Sequence, residues 1–412
     1  MAKNYPLDFV HTGPGALAGR YLRMFWQPIY RVKDLASGRA VPIKIMSEDF
    51  TLYRGENGTP HLTAFRCAHR GTQLSTGWVE GDSIRCRYHG WKYDGTGQCV
   101  EQPGEEEGFA SKVKIRSYPV KEYLGLIFAY LGEGEPPPLR RFADFERPGI
   151  NDNGPVEYWP CNYFNRLDNA CDAGHVVFTH QDSIVRAGRP DQLAPRRLNA
   201  EETAYGVRTA ILVEGKPPVY LHFHMPNINQ VRIQVQIEGT REDAANLWAD
   251  RLFWRVPVDD QHSVSYASDW IPLTGKAAED YQKRRQEARA AFSAVAASHN
   301  ELATDVLAGK MGIKDIDPNV NMYELFLVED YTVQVGQGTI APRAQERLGR
   351  LDAGLVILRL LWERELRALE QGRPLKEWKT PAGLADESVV VEKIVSSQPD
   401  SEGRFSEQET GR

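Results

Sequence analysis

Cysteine is scarce in this chain: five among 412 residues, an odd number. A disulfide framework needs a denser, even set, so paired cysteines here are better assigned to metal binding or chemistry. An excess of basic charge is also missing. Fifty lysines and arginines face 56 aspartates and glutamates, a net charge of −6, which leaves no electrostatic footprint for nucleic acid or an anionic membrane. No apolar run approaches the ~20 residues that span a bilayer. The opening "MAKNYPLDFVHTGPG" has no signal-peptide core, so a cytoplasmic location is expected. No Gly-rich nucleotide fingerprint follows a strand, so the chain is not expected to bind NAD(P)H or flavin itself. What is present is an ordinary water-soluble composition, 41% apolar and 26% charged, with length for two or three domains.

Proline supplies the main division. Up to residue 130 the chain runs in short apolar stretches such as "AVPIKIMSEDFTLYRG", "PHLTAFRC" and "KVKIRSYPVKEYLGLIFAYLG", punctuated by Gly, Asn and Pro as strands are. Pro136–Pro138 cannot lie in a central strand and predict a connector. Beyond it, "CNYFNRLDNACDAGHVVFTHQ" reads as helical, whereas "VYLHFHMPNINQVRIQVQIEG" and "DRLFWRVPVDDQHSVSYASDW" alternate like strands. "AAEDYQKRRQEARAAFSAVAASHNELATDVLAG" and "RLGRLDAGLVILRLLWERELRALEQG" predict two long helices. The expected fold class is α+β. It comprises an N-terminal segment packed on the domains (1–44), a β-rich domain (45–135), a larger antiparallel-sheet-and-helix domain (139–390) and a polar tail (391–412) expected to be disordered.

The smaller domain contains Cys67-x-His69, sixteen residues, then Cys86-x-x-His89. Thiolate and imidazole suit both zinc and iron–sulfur centres. Zinc knuckles, however, usually take a cysteine pair from one loop, while here each loop offers one Cys and one His. That symmetry fits a [2Fe–2S] cluster of the Rieske type, with Cys67 and Cys86 on one iron and His69 and His89 on the other. A structural zinc is the alternative. Respiratory Rieske proteins add a disulfide-forming cysteine to each loop; Thr72 and Tyr88 stand there instead, so this chain resembles the oxygenase and soluble ferredoxin branch. A ferredoxin would use only about a hundred residues. More than 250 others follow the proline connector.

Among them, Asp172, His175 and His180 in "DNACDAGHVVFTH" form Asp-x-x-His-x-x-x-x-His. Two histidines and a carboxylate make the facial triad of non-haem Fe(II) oxygenases, with positions left for dioxygen and substrate. On an ideal helix residues five apart lie about 140° apart around the axis, so a bulge or break is expected between His175 and His180. With both motifs in this order, residues 20–375 resemble the catalytic α subunit of a Rieske non-haem iron aromatic-ring oxygenase, in particular the phthalate-dioxygenase-like branch built from α subunits alone. The resemblance implies a third iron ligand far downstream. Asp330 is the choice, in "ELFLVEDYTVQVGQGTIAPRAQERLGRLDAG", where Gln334, Gly338, Arg343, Leu348, Gly349 and Asp352 match the branch and Val335-Gly336 depart from it. Glu329, Asp315 and Asp317 are rivals or ordinary surface acids. The resemblance also implies that Asp172 bridges a cluster histidine of one subunit and a triad histidine of the next.

Other residues have plainer readings. Asp168 is a solvated or supporting acid, Trp91 packs on the cluster loop, and Cys99, Cys161 and Cys171 are small buried residues. His222 and His224 alternate on one strand face and line either a cavity or the core. Arg186, Arg189, Arg196 and Arg197 lie on a loop where a guanidinium could read an anionic substrate.

The resemblance implies a terminal oxygenase fed by a separate NAD(P)H-dependent reductase, assembled as a head-to-tail homotrimer. An aromatic carboxylate is the expected substrate. O-demethylation or monooxygenation of a methoxylated or neutral arene is the alternative, and an electron carrier without oxygenase activity is the reading from another class.

Overall fold

The computed structural model describes residues 8–188, 190–194, 196–234, 247–293, 299–320 and 322–387. Arg189 and the expected tail at 391–412 lie outside these residues, as do the first seven of the N-terminal segment. The first half of the chain is a set of short antiparallel strands: β1 Gln27–Arg31, β2 Ala40–Ile45, β3 Glu48–Arg54, β4 Pro60–Ala64, β5 Trp78–Glu80, β6 Ser83–Arg85, β7 Lys92–Tyr93, β8 Cys99–Glu101, β9 Ser117–Tyr118, β10 Val120–Tyr123 and β11 Leu126–Ala129. They form three sheets, ordered β2-β3-β4-β9, β5-β6-β7-β8 and β1-β11-β10. The β2–β3 hairpin turns through Met46 and Ser47, both at positive φ, as a two-residue turn matched to strand twist requires. Their N–H groups donate to the carbonyls of Pro257 and Val258 at 2.9 Å. The strained turn is thus docked on the second half of the chain.

That half holds β12 Ile150–Asp152, β13 Glu157–Trp159, β14 Arg197–Glu202, β15 Gly206–Leu212, β16 Val219–His224, β17 Ile228–Gln234, β18 Trp248–Pro257 and β19 Ser263–Ile271. Among the described residues these make one antiparallel sheet, β12-β19-β18-β17-β16-β15-β14, with β13 also on β19. The helices are α1 Leu17–Arg23, α2 Tyr163–Cys171, α3 Val176–Thr179, α4 Gln181–Arg186, α5 Gly275–Ser293, α6 His299–Leu307, α7 Met322–Val335, α8 Ala353–Glu370 and α9 Leu384–Glu387. The expected helix after residue 275 is therefore two described helices, α5 and α6, with 294–298 between them undescribed.

A continuous core joins the halves. Phe128 of β11 packs edge-on to Trp254 of β18 at 5.5 Å. Tyr21 of α1, and Tyr163 and Phe164 of α2, surround the buried Trp362 of α8 at 5.1, 6.1 and 5.3 Å. Aromatic pairs of this kind add to the area they bury. The consequence is positional: α2 is held against α8 through Tyr163 and Phe164, and the segment that leaves its C-terminus is where the chemistry sits.

Candidate metal centres

The two Cys/His loops are built alike. Cys67 N–H donates to Thr72 O at 2.8 Å and Gly71 N–H to Cys67 O at 3.0 Å; Cys86 N–H donates to Trp91 O at 2.8 Å and Gly90 N–H to Cys86 O at 3.1 Å. Each loop needs a residue at φ near +74°, supplied by Gly71 and Gly90, a conformation side chains disfavour. The cysteines are buried and form no disulfide, and the His69 and His89 rings lie 4.4 Å apart. Trp91 stacks flat on His69 at 4.5 Å, in the packing role expected for it. Buried Nδ1 of His69 has no hydrogen-bond partner. An orphaned imidazole nitrogen beside two buried thiols is costly unless a group is bound there, and two S and two N donors suit a Rieske cluster. Tyr93 supports the set: its hydroxyl lies 3.2 Å from Cys67 Sγ and accepts Ala68 N–H. Burial pushes both its pKa and that of Cys67 up.

The second set comes from two separate stretches. α2 ends at Cys171, and Asp172–Gly174 turn the chain before α3; the helix expected over 161–181 is interrupted here. His180 sits at the joint between α3 and α4 with φ −96° and ψ 23°. The turn between the two histidines is continuous, with Thr179 N–H donating to His175 O and His180 N–H to Val176 O, so the break expected between them falls at His180 instead. It turns both imidazoles toward Asp330 of α7: Nε2 of His175 lies 3.7 Å, and Nε2 of His180 3.6 Å, from Asp330 Oδ1. One ligand atom from each of the three residues falls within 4.8 Å of the others. An ion with bonds of roughly 2.1 Å reaches donors up to about 4.2 Å apart, which covers the two gaps to Asp330. Nε2 of His180, buried, has no hydrogen-bond partner, as a nitrogen reserved for a metal would have none.

Around these three lies a buried polar frame that the sequence reading did not foresee. Glu329, a rival ligand or surface acid on sequence grounds, is buried; its Oε2 accepts from His180 Nδ1 at 3.0 Å and from Ser183 Oγ at 2.7 Å. Its Oε1 accepts Ser183 N–H at 3.0 Å. Gln334, one turn after Asp330, donates to Asp330 Oδ1 at 3.0 Å and accepts from Arg166 at 2.7 Å. Asp168 is not solvated: it is buried between Arg359 and Arg343, at 2.7 and 2.9 Å. No pattern marks Glu329 or Arg166 in the sequence, whereas the i,i+4 pair Asp330/Gln334 is visible once α7 is recognised.

Asp172 stands at the break. Oδ1 accepts the N–H of Gly174 at 2.8 Å and of His175 at 3.3 Å; its carbonyl accepts His175 Nδ1–H. Oδ2 lies 3.8 Å from His175 Nδ1. Burial pushes its pKa above the usual carboxylate range. The remaining candidates lie elsewhere. Asp315 and Asp317 cap turns through Gly312 and Asn319 N–H. His222 and His224 are buried and bonded to Tyr205 and Gln230, and burial lowers their pKa to about 4 and about 3. They alternate with Leu221, which packs with Ala173 beside the ligand loop, so they face the opposite side of the sheet. Arg186 is tied to carbonyls of 316 and 317. Arg196 donates to Gln192 O, and Arg197 is exposed on β14.

One donor set suited to passing electrons and another with room for added ligands, carried on a single chain, define an oxygenase subunit of the Rieske non-haem iron class. Comparison with known proteins agrees. A Rieske [2Fe-2S] domain model matches residues 25–121. The chain is 28% identical, over 89% of its length and 80% of the other's, to the 5,5'-dehydrodivanillate O-demethylase oxygenase subunit of Sphingobium sp.. It is 28% identical, over 87% and 84%, to phenoxybenzoate dioxygenase subunit alpha of Ectopseudomonas oleovorans. NdmA of Pseudomonas putida CBB5 shares the fold: TM-score 0.59 at 18% identity, covering 91% of this chain and 95% of NdmA. The chain thus carries a Rieske [2Fe-2S] domain and, over most of its length, is similar to oxygenase subunits that bear one. It is an oxidoreductase that acts with dioxygen and uses a Rieske [2Fe–2S] cluster and a mononuclear iron. Among the described residues no helix is long and apolar enough to cross a membrane.

Proposed function

We propose that this subunit is the terminal component of a multicomponent NAD(P)H-dependent system that hydroxylates or dihydroxylates an aromatic carboxylate. Cys67, Cys86, His69 and His89 hold the cluster; His175, His180 and Asp330 hold the mononuclear iron. The observation that carries this reading is the convergence of two Nε2 atoms and a carboxylate within 4.8 Å, one of the nitrogens buried without a partner. When bound, the cluster supplies single electrons and the iron supplies dioxygen activation. The chain's own part is orientation. The carbonyl of Asp172 and the carboxylate of Glu329 hold the Nδ1–H of His175 and His180, which leaves Nε2 of each as the free donor. Gln334, backed by Arg166, fixes the rotation of the Asp330 carboxylate. Asp172 bridges to a cluster histidine of the neighbouring subunit in a head-to-tail homotrimer, and a separate reductase feeds the cluster.

Two observations support an anionic aromatic substrate. A relative of similar length is named for phenoxybenzoate. Arg196, on the stretch that follows the ligand helices, meets no carboxylate among the described residues, and burial lowers its pKa, so a substrate anion would stabilise its charge. A second reading, oxidative O-demethylation, is favoured by the relative named for 5,5'-dehydrodivanillate. Purified subunit with a surrogate reductase and NADH should show oxygen uptake stimulated by benzoates. Product analysis assigns the reaction: ring hydroxylation supports the first reading, and formaldehyde from methoxybenzoates the second. Iron analysis should give about three per chain, two in the cluster and one alone. No substrate-stimulated uptake from iron-replete protein would reject the proposal.

A further inference from the structure

The two triad histidines are anchored differently. His175 donates its Nδ1–H to a main-chain carbonyl, that of Asp172. His180 donates its Nδ1–H to a carboxylate, Glu329, and both side chains are 0% exposed. Three donors converge on the two Glu329 oxygens: His180 Nδ1–H, Ser183 Oγ–H and Ser183 N–H. Only an acceptor-only carboxylate satisfies all three. Phe326 stacks flat on the His180 ring at 3.3 Å, so the imidazole is confined on its face as well as at its edge.

The geometry points to Glu329 as a positioning residue that locks His180 in the tautomer with a bare Nε2 and strengthens it as an iron donor. The inference rests on the reading that His175, His180 and Asp330 hold the iron. A carboxylate behind a ligand imidazole fixes its tautomer and raises its basicity, and losing such a partner typically costs about 10–100-fold in metal affinity. Glu329→Gln has nearly the same shape but cannot accept all three donors. If its amide nitrogen replaces Oε2, it faces Nδ1–H and forces the ring proton onto Nε2, where it blocks the metal. If it replaces Oε1, it opposes Ser183 N–H. Ser183→Ala, in contrast, removes one donor and leaves the carboxylate on His180.

The test strips the mononuclear site with a chelator, retains the cluster, and titrates with Co(II), following its d–d absorption. Wild type should bind one Co(II). E329Q should bind about 10–100-fold more weakly with a shifted band, while S183A stays near wild type and the cluster spectrum is unchanged in both. Wild-type affinity and band position in E329Q would overturn the inference. Equal losses in E329Q and S183A would also overturn it, by making the trio a structural contact only. If E329Q loses its cluster as well, E329D decides: weakened Co(II) binding supports the role and unchanged binding rejects it. H180A is the control. Unaltered Co(II) binding there would refute the triad reading itself rather than the role of Glu329.

Discussion

Asp172 divides its atoms among different partners. Its Oδ1 and its carbonyl hold the loop and His175, which leaves Oδ2 for a neighbour. Asp172→Asn preserves the carbonyl and an acceptor for the Gly174 N–H, so both metal sites should stay filled and the cluster should reduce normally. Electron delivery to the iron should slow by about 10–100-fold, the range expected when a hydrogen-bonding partner of a ligand histidine is lost. Single-turnover measurements of cluster reoxidation in the presence of substrate read this directly, and a wild-type rate would end the bridging role. At this scale the sequence was informative about ligands, because Cys-x-His, Cys-x-x-His and Asp-x-x-His-x4-His are short-range patterns of residues with the right chemistry. It left Glu329 as a rival ligand or a surface acid. An acid beside another acid on a helix looks like surface, and only packing of α7 against α4 turns it inward.

At the scale of elements, the site depends on how α2 is held. Asp168 of α2 receives Arg359 of α8 at 2.7 Å and Arg343, between α7 and α8, at 2.9 Å, and Arg359 also pairs with Glu346. Removing one partner of a buried pair leaves a charge without compensation, typically about 3–5 kcal/mol. Asp168→Ala should therefore lower unfolding stability by about that amount in urea melts, with iron content falling because the loop after Cys171 loses its anchor. A loss under about 1 kcal/mol, the value of an exposed pair, would contradict the buried-node account. The same helices show what periodicity can forecast. The 140° disparity forecast a break between His175 and His180, but the turn between them is continuous and the chain changes helix only at His180 itself. The run 161–181 was read as helical; the interruption at Asp172–Gly174 is held by Asp172 accepting the N–H groups of Gly174 and His175, contacts that are local in sequence.

At the scale of the whole molecule, the proposed ring separates the electron-donating and oxygen-activating sites of one chain and joins those of two. Co-expression tests this. An H180A subunit keeps its cluster, and an H89A subunit keeps its iron triad; His89 is exposed, so its loss leaves the core intact. Neither alone should turn over, but mixed oligomers should recover substrate-dependent oxygen uptake. No recovery in demonstrably mixed oligomers would place electron transfer within a single subunit. Architecture at this scale was partly legible: strand-like and helix-like patterns gave an α+β chain, and the proline run at 136–138 falls between β11 and β12. The core that joins the N-terminal segment, two of the small sheets and α8 was not, since no local pattern records which aromatic meets Trp362.

By itself the sequence offered the candidate donors and their grouping into two sets. These follow from residue chemistry and backbone geometry over a few positions. The tertiary structure alone decided that Asp330 rather than Glu329 meets both Nε2 atoms, that Glu329 and Gln334 brace the ligands, and that Asp168 is a buried anchor. Those outcomes depend on contacts between residues about 150–190 positions apart, fixed by how α2, α4, α7 and α8 pack. Burial then converts ordinary polar side chains into fixed ones, because a buried donor or acceptor without a partner costs too much to leave loose.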